Sequence, residues 1–260
     1  MKSWKLLAAL GACTVMTGAA QAQEWYAGGS VGYVQQNDSE NAGSTDAFTT
    51  GNGAPAVPFG TAIADGTSYG WTTEFSEGYE LAGEFGARYG NGLRSGIELV
   101  YNQSDVDTHT GVTLGGGSID AVDAAVLTGS ETQLGASVAD VVADGQGELS
   151  NTGLFANVYY DFNRAGNFQP YVGGGVGYMW TDVQYEPSGV GIIDDTESGF
   201  AYQLKAGGTL RVTDRWDVYG EYAYRVSEDV ELDNQLFPGS LEVENEQNVF
   251  SVGARYRFGS

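Results

Sequence analysis

The final stretch of the chain, Asn248–Phe258, reads N-V-F-S-V-G-A-R-Y-R-F. Phe250, Val252, Ala254, Tyr256 and Phe258 share one parity, and Val249, Ser251, Gly253, Arg255 and Arg257 share the other. A period of two is the signature of a β-strand. A soluble sandwich would bury the apolar face and wet the other. Here aromatics gather at the strand end and arginines stand opposite, as expected of a strand with one face in lipid and one in a polar lumen. Hydrocarbon cannot satisfy the N–H and C=O groups of an open sheet edge, so such a strand must pair back onto the first one.

The N-terminus agrees with export. Met-Lys-Ser-Trp-Lys is followed by an apolar run from Leu6 to Met16 and by small residues ending Ala20-Gln21-Ala22. These are the charged, apolar and cleavage regions of a secretory leader, expected to span 1–22 with cleavage between Ala22 and Gln23. Leu10-Gly11-Ala12-Cys13 has some likeness to a lipoprotein box, but the better cleavage site lies downstream. Cys13 is the only cysteine, so the mature chain is expected to have no disulfide and no thiol chemistry. No later stretch is apolar for long enough to span a bilayer as a helix. An exported chain of this kind is either soluble or an outer-membrane barrel.

Charge separates these two classes. The formal net charge is −23. No Lys or Arg occurs in 37–87, 95–163, 165–204 or 226–254, and these gaps hold nearly all the acid. A soluble acidic protein intersperses both signs. The lack of a basic face excludes a phosphate backbone, and hence nucleic acid, as a partner.

In chain order the alternation predicts eight strands. The first starts at Glu24, with Trp25, Ala27, Gly29, Val31 and Tyr33 on one face. The others cover about 77–89, 93–103, 149–162, 168–183, 199–212 and 215–230, followed by the final stretch. Gly90-Asn91-Gly92, the segment 163–167 and Thr213-Asp214 read as short turns. The connections at about 37–76, 104–147, 186–198 and 231–243 read as long loops. Within 104–147, Leu134, Val138, Val141 and Val142 recur at helical spacing and predict one or two short amphipathic helices, with Ser118 as a candidate N-cap. Long and short connections alternate, as in an all-β, eight-stranded antiparallel up-and-down transmembrane β-barrel with long extracellular loops and short periplasmic turns. One barrel domain is expected over 23–260, leaving no residues for a C-terminal peptidoglycan-binding domain.

The polar parity carries the candidate site. Glu84, Arg88, Arg94 and Glu98 come from the second and third strands, and Asp161 from the fourth. Lys205, Arg211, Asp217, Glu221 and Arg225 come from the sixth and seventh, and Arg255 and Arg257 from the last. One Arg or Lys facing lipid at mid-bilayer costs about 2–4 kcal/mol, and several would exceed a whole domain's stability of roughly 5–15 kcal/mol. These side chains must therefore face inward, where a barrel of eight strands is only wide enough for side chains to fill it. A packed lumen ion-pair network is expected in place of an open pore. Trp25, Tyr33, Tyr89, Tyr101, Phe162, Trp180, Trp216 and Phe258 fit two aromatic girdles.

W-Y-A-G-G-S-V-G-Y in the first strand, F-A-N-V-Y-Y-D-F at 155–162, P-Y-V-G-G-G-V-G-Y at 170–178, F-A-Y-Q-L-K-A-G at 200–207 and Y-G-E-Y-A-Y-R at 219–225 resemble the OmpA-like outer-membrane β-barrels, including the opacity-type porins. Ser251, Gly253, Tyr256 and Phe258 are similar to the family's assembly signal; Gly259-Ser260 after the usually terminal Phe is a departure. The resemblance implies a Gram-negative cell outer membrane, with lipid, lipopolysaccharide and the barrel-assembly machinery as partners. It implies a structural surface role with at most small-solute, porin-like permeability. The alternative is an adhesin or antigen acting through acidic extracellular loops, and a lipid-modifying enzyme is the third reading. His109, the only histidine, follows Asp105 and Asp107, but no Ser-His-acid signature accompanies it, and it reads as a solvated loop residue. No catalytic residue, cofactor or structural metal site is expected. Divalent cations at the acidic loops, with Asp105/Asp107 and Asp194-Asp195-Thr196-Glu197 as the best clusters, are the one metal partner considered.

Overall fold

A computed structural model describes residues 24–258, apart from 190, 229, 235 and 237. The expected leader and its Ala22/Gln23 cleavage site lie outside the described residues. Eight long strands form a ring: β1 (Glu24–Gln36), β6 (Gly78–Arg88), β7 (Leu93–Leu114), β9 (Gly147–Asp161), β10 (Phe168–Tyr185), β11 (Ile193–Arg211), β12 (Trp216–Ser227) and β15 (Glu246–Phe258). Each pairs antiparallel with its neighbours in that order. The seam joins β1 to β15 in unbroken register, from Trp25 opposite Phe258 to Gln36 opposite Gln247. No edge is left along the wall, as hydrocarbon requires.

The two parities separate as the sequence predicts. Val252 is 64% exposed and Leu204 60%, whereas Arg94 and Arg225 are 0% exposed. Trp25, Phe162, Trp216 and Phe258 ring the end that carries the termini and short turns, and Tyr33, Tyr101 and Trp180 ring the other. These aromatic belts mark the two interfaces of a membrane.

The long connections differ from the expectation. The two ends of the 37–76 segment and most of 231–243 form a sheet: β2 (Ser39–Thr45), β5 (Thr67–Phe75), β13 (Val230–Asp233) and β14 (Gly239–Val243) run in the order β13-β14-β2-β5 and join the upper half of β7, while between β2 and β5 the two-residue strands β3 (Phe48–Thr49) and β4 (Ala62–Ile63) pair with each other. The hairpin β10–β11 also rises past the belt, and β13 packs beside β11. The result is a distal barrel stacked on the membrane one.

The distal barrel inverts the polarity of the wall. On β7, outward Leu99 and Tyr101 give way to outward Asp105 and Asp107, while inward Glu98 and Asn102 give way to inward Val106. The period of two continues, but its apolar phase has changed sides, because the exterior is now water and the interior must be a core. That core gathers Tyr69, Trp71, Val106, Leu149, Val183 and Tyr185 from the strands.

The segment 119–142 plugs this core with Ile119, Val122, Val126, Val138 and Val142. It contains two one-turn helices, α1 (Ala125–Thr128) and α2 (Val138–Val142). The N-cap is Ser137, in a capping box with Asp140, and not the expected Ser118, which lies in the short strand β8 (Gly117–Ser118). Ser118 fails as a cap because its hydroxyl is engaged with Asp120 in a local turn. The helices' apolar faces lie inside the distal barrel.

Val106→Asp would bury a lone carboxylate in the distal core at a cost of several kcal/mol. Proteinase K is expected to degrade the distal segments of this variant, while the membrane barrel still migrates faster unboiled than boiled on a gel. Distal segments as resistant as in the unaltered protein would contradict the inverted core.

Candidate functional site: the charged lumen and the core above it

The lumen is filled in layers. At the end bearing the termini, Arg257 meets Glu24 at 3.4 Å and Asp217 at 3.2 Å. Arg88 spans to Asp161 at 3.3 Å and Asp217 at 3.5 Å. Above lies Arg94, whose Nε faces Asp161 at 3.4 Å and whose guanidinium stacks 3.9 Å from the Tyr159 ring. Glu84 accepts from Tyr26, from Tyr159 at 3.1 Å, and approaches Arg94 at 3.9 Å. Higher still, Lys205 Nζ lies 2.6 Å from Glu98 and 2.9 Å from Glu221. Arg225 closes the charged column on Glu80 at 2.5 Å.

Two residues named from sequence stand apart. Arg255 makes no ion pair within 4 Å among the described residues and is held between the Tyr26 and Tyr219 rings, 4.9 and 4.7 Å from their centroids. Cation–π contacts of this kind gain strength when desolvated. Arg211 sits half-buried near the turns with its buried Nε unpartnered, and makes no ion pair within 4 Å among the described residues. Glu80 and Glu24 were missed. Glu80 shares the inward parity of β6, so alternation could have found it. Glu24 begins its strand, where parity gives little guidance.

Small residues make this packing possible. A Cβ built on Gly207 would lie 2.6 Å from Tyr171 Cζ, and one on Gly177 2.6 Å from Phe155 Cδ1. The inward glycines are thus the seats of neighbouring inward rings.

Above the charges a layer of amides separates them from the apolar distal core. Asn151 Oδ1 accepts from Asn245 at 2.7 Å and from Thr181 at 2.8 Å, and Asn102 donates to Gln247 at 3.0 Å. Each of these is buried. No sequence signal singles them out, because an isolated inward Asn looks the same in a solvated barrel.

His109 is not the solvated loop residue expected from its neighbours. It lies on β7, 3% exposed, with Nδ1 2.9 Å from Thr73 Oγ1. Thr73 Oγ1 already accepts from Asn41 at 2.7 Å and from the Trp71 indole at 3.1 Å. Both lone pairs being taken, its single proton goes to Nδ1, which leaves His109 protonated at Nε2. That Nε2 has no partner among the described residues. Burial lowers the imidazole to about 4, against a smaller raising effect of Asp144. Among the described residues no three His, Cys, Asp or Glu side chains converge as metal ligands. Asp105 and Asp107 point outward from the wall, and Asp194 and Glu197 are exposed.

Two outcomes follow. Lys205→Met leaves Glu98 and Glu221 facing each other without a cation, an expected loss of about 3–5 kcal/mol; urea unfolding in lipid vesicles measures it. The depressed His109 pKa means that the unfolded chain binds the proton more tightly. The stability conferred by the neutral imidazole is present above pH 6.5 and is lost as pH falls toward about 4. Relative to a His109→Phe variant, the distal barrel should lose about 2 kcal/mol between pH 7.5 and 5, read as protease resistance.

A family model described as "Outer membrane protein beta-barrel domain" matches residues 6–258. No curated protein matches the chain. Among solved structures, OprG from Pseudomonas aeruginosa is similar at 14% identity, over 92% of this chain and 98% of that one, with a TM-score of 0.48. Neisserial surface protein A is similar at 13% identity over 90% and 97%, with a TM-score of 0.45. Ail of Yersinia pestis, solved with the heparin analogue sucrose octasulfate, is similar at 13% identity over 91% and 100%, with a TM-score of 0.34.

Proposed function

Since the chain belongs to the outer-membrane protein β-barrel domain family and therefore resides in the cell outer membrane, we propose that it is a non-enzymatic surface protein whose barrel is a sealed anchor with at most small-solute permeability. The observation that carries this reading is the filled lumen. Arg94, Arg225 and Arg255, with Tyr26, Tyr159 and Phe155, are each less than 2% exposed at successive levels of the cylinder. A water-filled path would have to pass these side chains and would expose them.

The burial of His109 speaks for the non-enzymatic part. Thr73, its hydroxyl partner, is 0% exposed and has both lone pairs occupied. A hydroxyl so placed is not available as a nucleophile. The lipid partner is the apolar wall's own solvent. Tyr256 and Phe258 meet edge to face at 5.1 Å on the lipid side of the closing strand, where the assembly machinery would read them together with Ser251 and Gly253. Lipopolysaccharide would meet the acidic distal exterior through diffuse divalent cations, since both surfaces are anionic.

A second reading, contact with another surface through the distal barrel, is favoured by that part's own packed core, which presents its outer face rigidly. Planar-bilayer recording decides the main proposal. The purified protein is expected to give no stable single-channel steps, or only steps of small-solute size. Large, long-lived steps would overturn the sealed-anchor reading. Silence combined with cell or matrix binding that deletion of 231–243 abolishes would favour the second.

A further inference from the structure

The distal core holds a narrow, partly open cavity of about 30 Å³ whose lining shares no residue with the charged lumen. Trp71, Val112, Ile119, Val142 and Ile192 form its walls. Nearly every donor at its surface is already engaged. The Thr113 hydroxyl donates to Gly70 O at 3.3 Å, and the Tyr69 hydroxyl donates to Ser240 O at 3.0 Å. The exception among the described lining residues is His109, whose Nε2–H is buried without an acceptor. Its tautomer is fixed from the far side by Thr73, so this proton cannot move to the other nitrogen without breaking that hydrogen bond.

A buried donor left unmade is costly, and the site therefore favours an occupant that supplies one acceptor. A lone water would meet a single free donor here, His109 Nε2–H, and it needs about two to four polar partners. A charged occupant would lose its hydration with no counter-charge in the walls. Anions face the further barrier of an exterior with no Lys or Arg in 37–87, 95–163, 165–204 or 226–254.

We propose that the distal cavity is a binding site for a short, uncharged, mainly apolar molecule carrying one hydrogen-bond acceptor, such as an aliphatic ketone, which accepts from His109 Nε2. The inner volume beside His109 seats the carbonyl end. The alkyl tail lies at the half-buried rim of Leu114, Leu127 and Leu236, which must part to admit it. The site is independent of the sealed lumen, so its failure would leave the reading of the anchor untouched.

The only histidine of the chain gives a single imidazole signal for NMR of the full, micelle-embedded protein at pH 7.5. Titration with 2-pentanone is expected to move the His109 and Trp71 indole resonances saturably. Its isostere 2-methyl-1-pentene, which lacks the acceptor, should bind about three- to tenfold more weakly, the worth of one neutral hydrogen bond. Followed at the Trp71 indole, His109→Phe should remove the ketone's advantage, and Leu127→Trp should weaken both probes. Retained heat-modifiable gel migration checks that each variant is folded. Unmoved signals, equal binding of the two probes to the unaltered protein, or a single long-lived water on His109 Nε2 that 2-pentanone does not displace would each overturn the proposal.

Discussion

A polypeptide in hydrocarbon has no water to satisfy its backbone, and the structure of this chain depends first on the seam that meets this constraint. Between Trp25 and Gln36, β1 exchanges hydrogen bonds with β15 across the longest sequence separation in the molecule. Once that ladder forms, the wall has no edge and every side chain must choose lipid or lumen. A shift of one residue at the seam would send Arg255 and Arg257 into lipid and Tyr256 and Phe258 into the lumen. The placement of the charges and the register of the seam are therefore one requirement.

The same rule, applied above the membrane, yields the opposite polarity. Below the aromatic belt the solvent is lipid, and the interior takes the charges. Above it the solvent is water, and the interior takes Val106, Leu149 and Val183. The strands β7, β10 and β11 cross the boundary without interruption, so one continuous backbone carries both patterns. The buried amides around Asn151 and Asn245 sit where the patterns meet. They satisfy one another and so spare both the ion pairs below and the apolar core above from facing an unlike neighbour.

Much of the membrane barrel was legible because period-two alternation is local and lipid punishes exceptions. The strand limits near 89, 93 and 162 follow from turns at Gly90-Asn91-Gly92 and 163–167, whose residues have few other uses. The far ends of β7 and β11 were less legible. Reading an apolar face for its lipid contact stops at Tyr101, since Asp105 and Asp107 then occupy that face; the inward Val106 between them carried the signal that the strand continues. Of the lumen residues, Glu80 could have been found by the same parity. The seat of Arg255 between two rings could not, since it depends on Tyr26 and Tyr219 arriving from other strands.

By itself the sequence determined the identity of the wall: which residues alternate, which face excludes lipid, and that the last strand must find the first. Hydropathy and parity act over a few residues, and hydrocarbon leaves few alternatives. Only the tertiary structure decided how the long connections fold and where His109 lies. Their apolar residues are sparse, and no segment between 37 and 76 or between 104 and 147 can bury them alone. A core appears there only when β2, β5, β14 and the 119–142 plug close around one another above the membrane, and that closure depends on contacts between residues distant in sequence.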